Sequence, residues 1–445
     1  MLFRSISNLS FLSKTTERIV ADQLDNYLVD NHLYANLQSA YRRHHSTETA
    51  LLRVFNDINS AIDNQYECVL VLLDLSAAFD TIDHHTLINR LEKRYGISGL
   101  ALKWLKSYLK DRKQCVVVDG TYSNPRLVGC GVPQGSVLGP LLFSLYYAPL
   151  EDVITAHGID AMMYADDSQL YVTLKRSNRA VGLEHLEQCI DKVIEWNTQN
   201  GLKCNPTKTE VIHFYSRFTP SDSISHIRVG TAIIEPATEV RDLGVTFDAT
   251  LTLHTHINNI CRSGSLSLRQ IGKIRKFISQ EDTERIVHAF ISSKLDYCNG
   301  LLYGLPSNEI LKLQRLQNSA ARLVMKSKKS EHITPILIDL HWLPVQERII
   351  FKLLLNTYKA LHGLAPDYLS NLLSVYKPAR SLRSSSSYNL SVPRSRTVTY
   401  GDRTFACACP KLWNQLPLSI RLSENIDSFK MKLKTFLFKT AYNLQ

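Results

Sequence analysis

The feature that most constrains this chain is the run Cys68-Val-Leu-Val-Leu-Leu73, closed abruptly by Asp74. A short, unbroken apolar run of this kind suits a strand buried on both faces. Such a strand needs neighbours, and the sequence offers them. Ala161-Met-Met-Tyr164 and Leu170-Tyr-Val-Thr-Leu174 flank Ala165-Asp-Asp-Ser-Gln169, predicting a hairpin with two carboxylates at its tip. Thr209-Glu-Val-Ile-His-Phe214 reads as a further strand. Helices are predicted over 85–95 and 99–110. Another is predicted over 181–199, with Leu183, Leu186, Ile190, Val193 and Ile194 inward and Gly201 as a stop signal. The alternation strand–helix–strand–strand–helix–strand is that of a split βαβ sheet.

Other elements surround this sheet. Residues 15–34 read as an amphipathic helix, with Ile19, Val20, Leu24, Tyr27 and Leu28 on one face. Residues 46–63 read as a second, opened by Ser46-Thr-Glu-Thr49. Residues 114–130 read as strands turning at Asp119-Gly120. Gly131-Val-Pro-Gln-Gly135 is a turn, and Ser136 is placed to cap an apolar helix. Beyond about residue 250 the pattern becomes helical, with candidates near 253–278, 281–295, 308–326 and 344–361. Lys377 to Arg396, rich in Ser and Arg, reads as an exposed linker or a nucleic-acid contact.

The 445 residues suffice for about two to four domains. No stretch of about 18 uncharged apolar residues occurs, so no membrane span is expected. The nine cysteines form no CxxC pair, which argues against a zinc knuckle and for free thiols in a reducing compartment. His44-His45 and His84-His85 lack a second ligand pair at zinc spacing. The net charge of +11 is uneven. Residues 1–250 hold 24 Lys+Arg against 29 Asp+Glu, and residues 251–445 hold 28 against 12. A basic part joined to an acidic one suggests that the C-terminal part holds nucleic acid; a solubilising surface is the plainer alternative.

Asp166 and Asp167, adjacent at a hairpin tip, repel each other unless a cation lies between them. Hard oxygen ligands of this kind suit Mg²⁺. Asp74 ends a strand of the same expected sheet, and carboxylates from neighbouring strand ends bracket two ions about 3.5–4 Å apart in two-metal sites. An Asp-Asp pair alone equally describes a solvated turn.

The surrounding residues carry a resemblance. Asp74-Leu-Ser-Ala-Ala-Phe79-Asp80, Gly131-Val-Pro-Gln-Gly-Ser-Val-Leu-Gly-Pro140, Tyr164-Ala-Asp-Asp167, Gly201-Leu-Lys-Cys-Asn-Pro-Thr-Lys-Thr-Glu210 and Arg241-Asp-Leu-Gly-Val-Thr-Phe-Asp248 resemble, in order, polymerase motifs A to E. Ile6-Ser-Asn-Leu-Ser-Phe-Leu-Ser-Lys14 and Gln38-Ser-Ala-Tyr-Arg-Arg43 resemble two fingers motifs. Trp342-Leu-Pro-Val345, Leu361-His-Gly-Leu-Ala-Pro366 and Leu412-Trp-Asn-Gln-Leu-Pro417 are similar to the C-terminal region of jockey-like elements. The chain thus resembles the reverse transcriptases of LINE-type (non-LTR) retrotransposons.

That resemblance implies an α+β right-hand polymerase. Incomplete fingers would occupy 1–65, a ferredoxin-like palm 66–248, a helical thumb 249–330 and a basic C-terminal region 331–445. It implies RNA-directed DNA synthesis with two Mg²⁺ ions, or Mn²⁺ in their place, on template RNA with a DNA primer and dNTPs. Asp74, Asp166 and Asp167 would be metal ligands and Lys208 an acid for the departing pyrophosphate. Phe79 would be the steric gate, Gln134 and Gly135 would line the nucleotide, and Arg42 or Arg43, with Lys14, would meet the triphosphate. Arg262, Arg269, Lys273, Arg275 and Lys276 would hold the duplex by its phosphates. The family resemblance also implies the nucleus and a cytoplasmic ribonucleoprotein as locations.

Two departures stand out. Arg4-Ser-Ile-Ser7 replaces the family's Arg-Pro-Ile-Ser, and the chain opens inside this motif, without the preceding fingers segment or an endonuclease. An N-terminally truncated copy is therefore expected. The alternatives are an inactive nucleic-acid-binding remnant and a group II intron-type maturase.

Overall fold

The computed structural model describes residue 7 and residues 9–219, 224–377 and 388–444. Positions 1–6 and 8 of the first fingers motif, and 378–387 of the Ser/Arg-rich stretch, lie outside the described residues. Contacts divide the chain into two compact units. The first comprises the segment through Arg43, Val69–Ile212 and the stretch ending at Ala237. The second comprises His44–Cys68, a short stretch from His213, and everything from Thr238 onward.

The first unit is built on a four-stranded sheet. Its strands are β1 (Glu67–Leu73), β2 (Asp160–Tyr164), β3 (Asp167–Leu174) and β4 (Glu210–Phe214), in the spatial order β4-β1-β3-β2. This is the order of a ferredoxin-like split βαβ sheet, as the alternation of elements predicts. It places β1 inside the sheet, where all but one of its residues are buried. That explains why its sequence is continuously apolar rather than alternating.

Helices Leu138–Tyr147 and Arg179–Gln199 contribute to the same core, with Phe143, Tyr146, Tyr147, Leu186, Ile190 and Val193 buried in one apolar cluster. Helix Arg179–Gln199 stops where expected, before Gly201 at φ +68. The strands predicted over 114–130 form a twisted ribbon turning at Asp119 and Gly120, both at positive φ, as a tight hairpin turn demands. The first helix spans Phe11–Asp30, earlier than the apolar spacing predicts, because Ser10 accepts a hydrogen bond from Ser13 N and caps it there.

The second unit is mainly helical after a β-hairpin at Glu239–Asp242 and Val245–Asp248. Its long helices are His254–Ile274, Ser307–Met325, Val345–Leu361 and Ile426–Tyr442. The helix expected over 281–295 is divided. An α-helix at Gln280–Val287 passes into a π-turn at His288–Ser292 and a last α-turn at Ser293–Asp296. Helix Thr47–Asp63, opened by a capping box of Ser46 and Thr49, belongs to this second unit. The residues that hold it there come from far along the chain. Asp63 accepts hydrogen bonds from the amides of Arg396 and Thr397 at 2.9 and 2.7 Å. Buried Arg403 lies over the Phe55 ring and donates to the carbonyls of Tyr303 and Leu251.

Candidate active site

Sheet order sets the positions of the acidic side chains. β1 ends at Leu73, so Asp74 stands at its exit; β3, its neighbour, begins with Asp167. The turn between β2 and β3 is therefore tighter than predicted. Only Ala165 and Asp166 separate the strands, and Tyr164 pairs with Asp167 across them. Ala165 is forced to φ +57. A left-handed conformation costs an L-residue about 1–2 kcal/mol.

Gln38 offsets that cost. Its buried side-chain amide accepts from Ala165 N at 2.9 Å and donates to Ala165 O at 3.1 Å. Two hydrogen bonds worth about 1 kcal/mol each cover the strain. The same loop adds to the edge of β2, with Met163 N donating to Leu37 O and Ser39 N to Met163 O, both at 2.8 Å. The fingers motif and the acidic hairpin are thus one hydrogen-bonded piece. Sequence reading placed Gln38 in a motif but gave it no role, because nothing in the sequence marks it as buried.

Phe79 follows Asp74 in a short 3₁₀ turn at Ala78–Asp80. Its ring stacks on Phe143 at 4.6 Å, Phe143 on Tyr147 at 5.5 Å, and Tyr147 meets Trp196 edge-on at 5.9 Å. The Tyr147 hydroxyl lies 3.0 Å from Ser168 Oγ, beside Asp167 in sequence. On its other side Phe79 meets Tyr41 edge-on at 6.4 Å. Burial, followed by the nearby charge of Asp166, raises the Tyr41 phenol above its ordinary value, with Asp167 adding to it. One aromatic row therefore runs from Tyr41 through Phe79 to Trp196 on helix Arg179–Gln199, with Asp166 near its Tyr41 end.

The glycine-rich turn packs against the first motif. Gly131 N donates to Ile82 O and Val132 N to Phe79 O. Gly131 is at φ +83, and a Cβ there would lie 2.7 Å from Asp80 O, so only glycine fits. Gln134 donates to both carboxylate oxygens of Asp80, at 3.0 and 2.9 Å. Gly135 is exposed at φ +92. Ser136 Oγ accepts from Gly139 N, as its expected capping role requires. Buried Glu17 also accepts from the amides of Val137 and Leu138, placing a carboxylate at the start of the following helix.

Lys208 reaches Asp74 at 3.1 Å, and Asn205 N donates to Asp74 O at 2.9 Å. A short antiparallel pairing of Leu75–Ser76 with Lys203–Cys204 carries the fourth motif to this place. Among the described residues, no three His, Cys, Asp or Glu side chains are gathered closely enough to hold a metal. Asp74, Asp166 and Asp167 are therefore on neighbouring strand ends without forming a closed cluster. Their chemistry fits a hard divalent ion, being all oxygen, and a lysine ammonium already balances one of them.

The expected phosphate contacts divide. Arg42 donates to the carbonyls of Ala35 and Gln38 and lies over the Tyr34 ring, so it braces the loop. Arg43 pairs with Asp25 at 2.7 Å while more than half exposed. Lys14 is half-buried on helix Phe11–Asp30. In the second unit, Arg262, Arg269 and Lys273 lie exposed along one face of helix His254–Ile274, with exposed Leu266 among them. Lys276 is exposed above the Phe277 ring. Arg275 departs from the expectation. It is buried, and its three guanidinium nitrogens donate to the carbonyls of Leu323, Ile278 and Val324, which turns it onto the backbone rather than out toward a phosphate.

Residues 2–247 match the family described as reverse transcriptase (RNA-dependent DNA polymerase). The chain is 30% identical over 355 residues to the probable RNA-directed DNA polymerase from transposon BS of Drosophila melanogaster, covering 78% of this chain and 39% of that protein. It is 28% identical over 269 residues to the polymerase from mobile element jockey of the same species, covering 58% of this chain and 28% of that one. The chain thus spans about two fifths or less of the curated relatives it matches. A split βαβ sheet with acidic residues at adjoining strand ends, the motif order and a match across more than half its length agree: this chain belongs to the reverse transcriptase family, among relatives from non-LTR elements.

Proposed function

We propose that the chain is an RNA-directed DNA polymerase that adds deoxynucleotides to a primer 3′-hydroxyl on template RNA. The observation that carries this reading is the sheet order, which sets the strand leading into Asp74 beside the strand opening with Asp167. Asp74 and Asp166, supported by Asp167, would hold Mg²⁺ or Mn²⁺. When bound, such ions lower the barrier by activating the hydroxyl and neutralising phosphate charge.

The chain's own residues do the rest. The Phe79 ring, backed by Phe143, would stand as a rigid wall against the sugar and exclude a 2′-hydroxyl. Gln134 and Gly135 line the nucleotide, and the positive φ of Gly135 lets backbone approach it closely. Lys208 supplies a proton or a positive charge to departing pyrophosphate once released from Asp74. Lys14 and Arg43 meet the triphosphate. Arg42 contributes through the loop that it braces. Arg262, Arg269, Lys273 and Lys276 hold the primer–template by its phosphates.

The test is primer extension on an RNA template with dNTPs and Mg²⁺. Asp166→Ala is expected to reduce extension about a thousandfold or more while leaving the melting temperature within a few degrees. Absence of extension by the natural chain would overturn the reading. One observation favours a second reading, a nucleic-acid-binding remnant without catalysis: the three carboxylates form no closed cluster, and Asp74 is engaged by Lys208. RNA binding without extension, indifferent to Asp166→Ala, would select it.

A further inference from the structure

The helical second unit contains a cleft of about 450 Å³ that no polymerase motif reaches. This volume lies within the usual range for a site that holds one small ligand, about 300–1,000 Å³. Its lining holds buried Trp342, against which the His288 ring packs at 5.4 Å, together with His341 and half-buried Phe351. Asn299 also lines it, with 1% of its surface exposed. Asn299 Oδ1 has no hydrogen-bond partner among the described residues. Exposed Lys434 joins the lining, with no ion pair among the described residues.

The remaining charges are already satisfied. Glu284 accepts from Trp342 Nε1 at 3.2 Å and lies 3.4 Å from His288 Nε2. Asp296 is bridged by Arg348, and Lys352 pairs with Glu48 at 3.1 Å. What stays open is a buried acceptor and an exposed cation, in a lining that also holds the half-buried Phe351 ring.

The backbone around the cleft is unusual as well. His288 belongs to the π-turn, an irregularity that collects at functional sites. Cys298, immediately before Asn299, is at φ +50, and His341, immediately before Trp342, is at φ +54. Neither is glycine, so both are strained conformations that the surrounding structure enforces. Each adjoins a residue of the lining, Asn299 and Trp342 respectively.

We propose that this cleft binds one unpaired nucleotide of a single strand, with its base against the half-buried Phe351 ring and Asn299 and its phosphate at Lys434. Rings that stack and a cation that meets phosphate are the two devices of single-strand recognition. An asparagine amide adds base choice, because its oxygen accepts from an exocyclic amino group. Adenine and cytosine offer that donor at the pairing edge; uracil does not. The surrounding field suits an anionic ligand, since residues 251–445 hold 28 Lys+Arg against 12 Asp+Glu. The inference stands on this unit alone and does not require that the chain polymerise.

The experiment uses the full chain and strands too short to form a primer–template: tetra-adenylate RNA, tetra-uridylate RNA and tetra-deoxyadenylate, titrated by fluorescence anisotropy. Photo-cross-linked positions are mapped in parallel. Tetra-adenylate is expected to bind about tenfold or more tighter than tetra-uridylate, with cross-links at Trp342 or Phe351. Asn299→Ala should remove that preference. Lys434→Ala should weaken all strands alike and reduce the salt slope by about one. Equal binding of the ribose and deoxyribose strands identifies recognition by base and phosphate, whereas a ribose preference adds a contact to the 2′-hydroxyl; both support the site. Asp166→Ala must leave this binding unchanged, so loss of polymerase activity and loss of this site read out separately. Cross-links confined to other segments, or affinities unaltered by both Asn299→Ala and Lys434→Ala, would overturn the proposal. Lys434 is exposed, so its variant keeps the test valid even if Asn299→Ala fails to fold.

Discussion

The acidic hairpin of the first unit and the basic helix His254–Ile274 of the second are held in opposite ways. Around the hairpin, buried polar side chains are turned onto specific backbone atoms: Gln38 onto Ala165, Arg42 onto Ala35 and Gln38, Glu17 onto Val137 and Leu138. Along the helix, Arg262, Arg269 and Lys273 project from an exposed face with no ion pair among the described residues. Bond making needs atoms fixed within a fraction of an ångström, so its supports are short-ranged and buried. The proposed grip on a phosphate backbone needs only a field, which exposed surface cations can supply. Arg275, at the end of this same helix, is a cation used instead as a buried brace, as Arg403 is elsewhere in the unit.

That contrast can be broken at its exception first. Replacing Arg275 by Ala removes three charge-assisted hydrogen bonds to backbone carbonyls, a loss of about 4 kcal/mol by thermal or urea melting. Its salt slope for RNA binding should stay unchanged; a fall of one would return Arg275 to the phosphate contacts. Next comes the wall at Phe79. Phe79→Val is expected to narrow the preference for dNTPs over rNTPs about 100-fold in competing kcat/KM measurements. An active variant with unaltered preference removes the gate from that ring.

A smaller effect sharpens the hairpin side. Gln38→Leu should lower kcat about 10- to 100-fold with little change in KM, since the turn bearing Asp166 loses its brace. Gln38→Glu distinguishes bracing from mere packing. At neutral pH it presents a carboxylate to the Ala165 carbonyl; once protonated it regains a donor. Its activity relative to the natural chain should therefore rise as pH is lowered through that titration, whereas that of Gln38→Leu should not. A flat ratio in steady-state extension assays across pH would assign Gln38 to packing alone. The smallest change is expected for Arg269→Ala: affinity for RNA down a few-fold, the salt slope lower by about one, and melting unaffected.

Much of the first unit was legible because its signals are local. The apolar run before Asp74, the Asp119-Gly120 turn, the stop at Gly201 and the cap at Ser136 each act within a few residues. What was not legible depends on partners distant in sequence. Helix Thr47–Asp63 shows its apolar face plainly, but the atoms that bind Asp63 lie at Arg396 and Thr397. Arg42 and Arg275 look like surface cations until the carbonyls that receive them are known. Gln38 reads as an ordinary loop amide. The quoted Trp342-Leu-Pro-Val345 stretch marks one wall of the cleft, but its orphan acceptor at Asn299 has no sequence signal, since it is defined by what fails to approach it.

The position of β4 beside β1 has a consequence for synthesis of the chain. β1 is complete once residue 73 leaves the ribosome, but the strand that closes its outer edge ends at Phe214. Until Leu174 is made both edges of this very apolar strand are uncovered, and from then until Phe214 one row of amides and carbonyls stays open, the kind of edge that recruits strands from other molecules. A long-range closure of this sort also folds slowly. Nascent chains stalled before Glu210 should therefore be the aggregation-prone species, and a chaperone that shields this edge would matter most in that window.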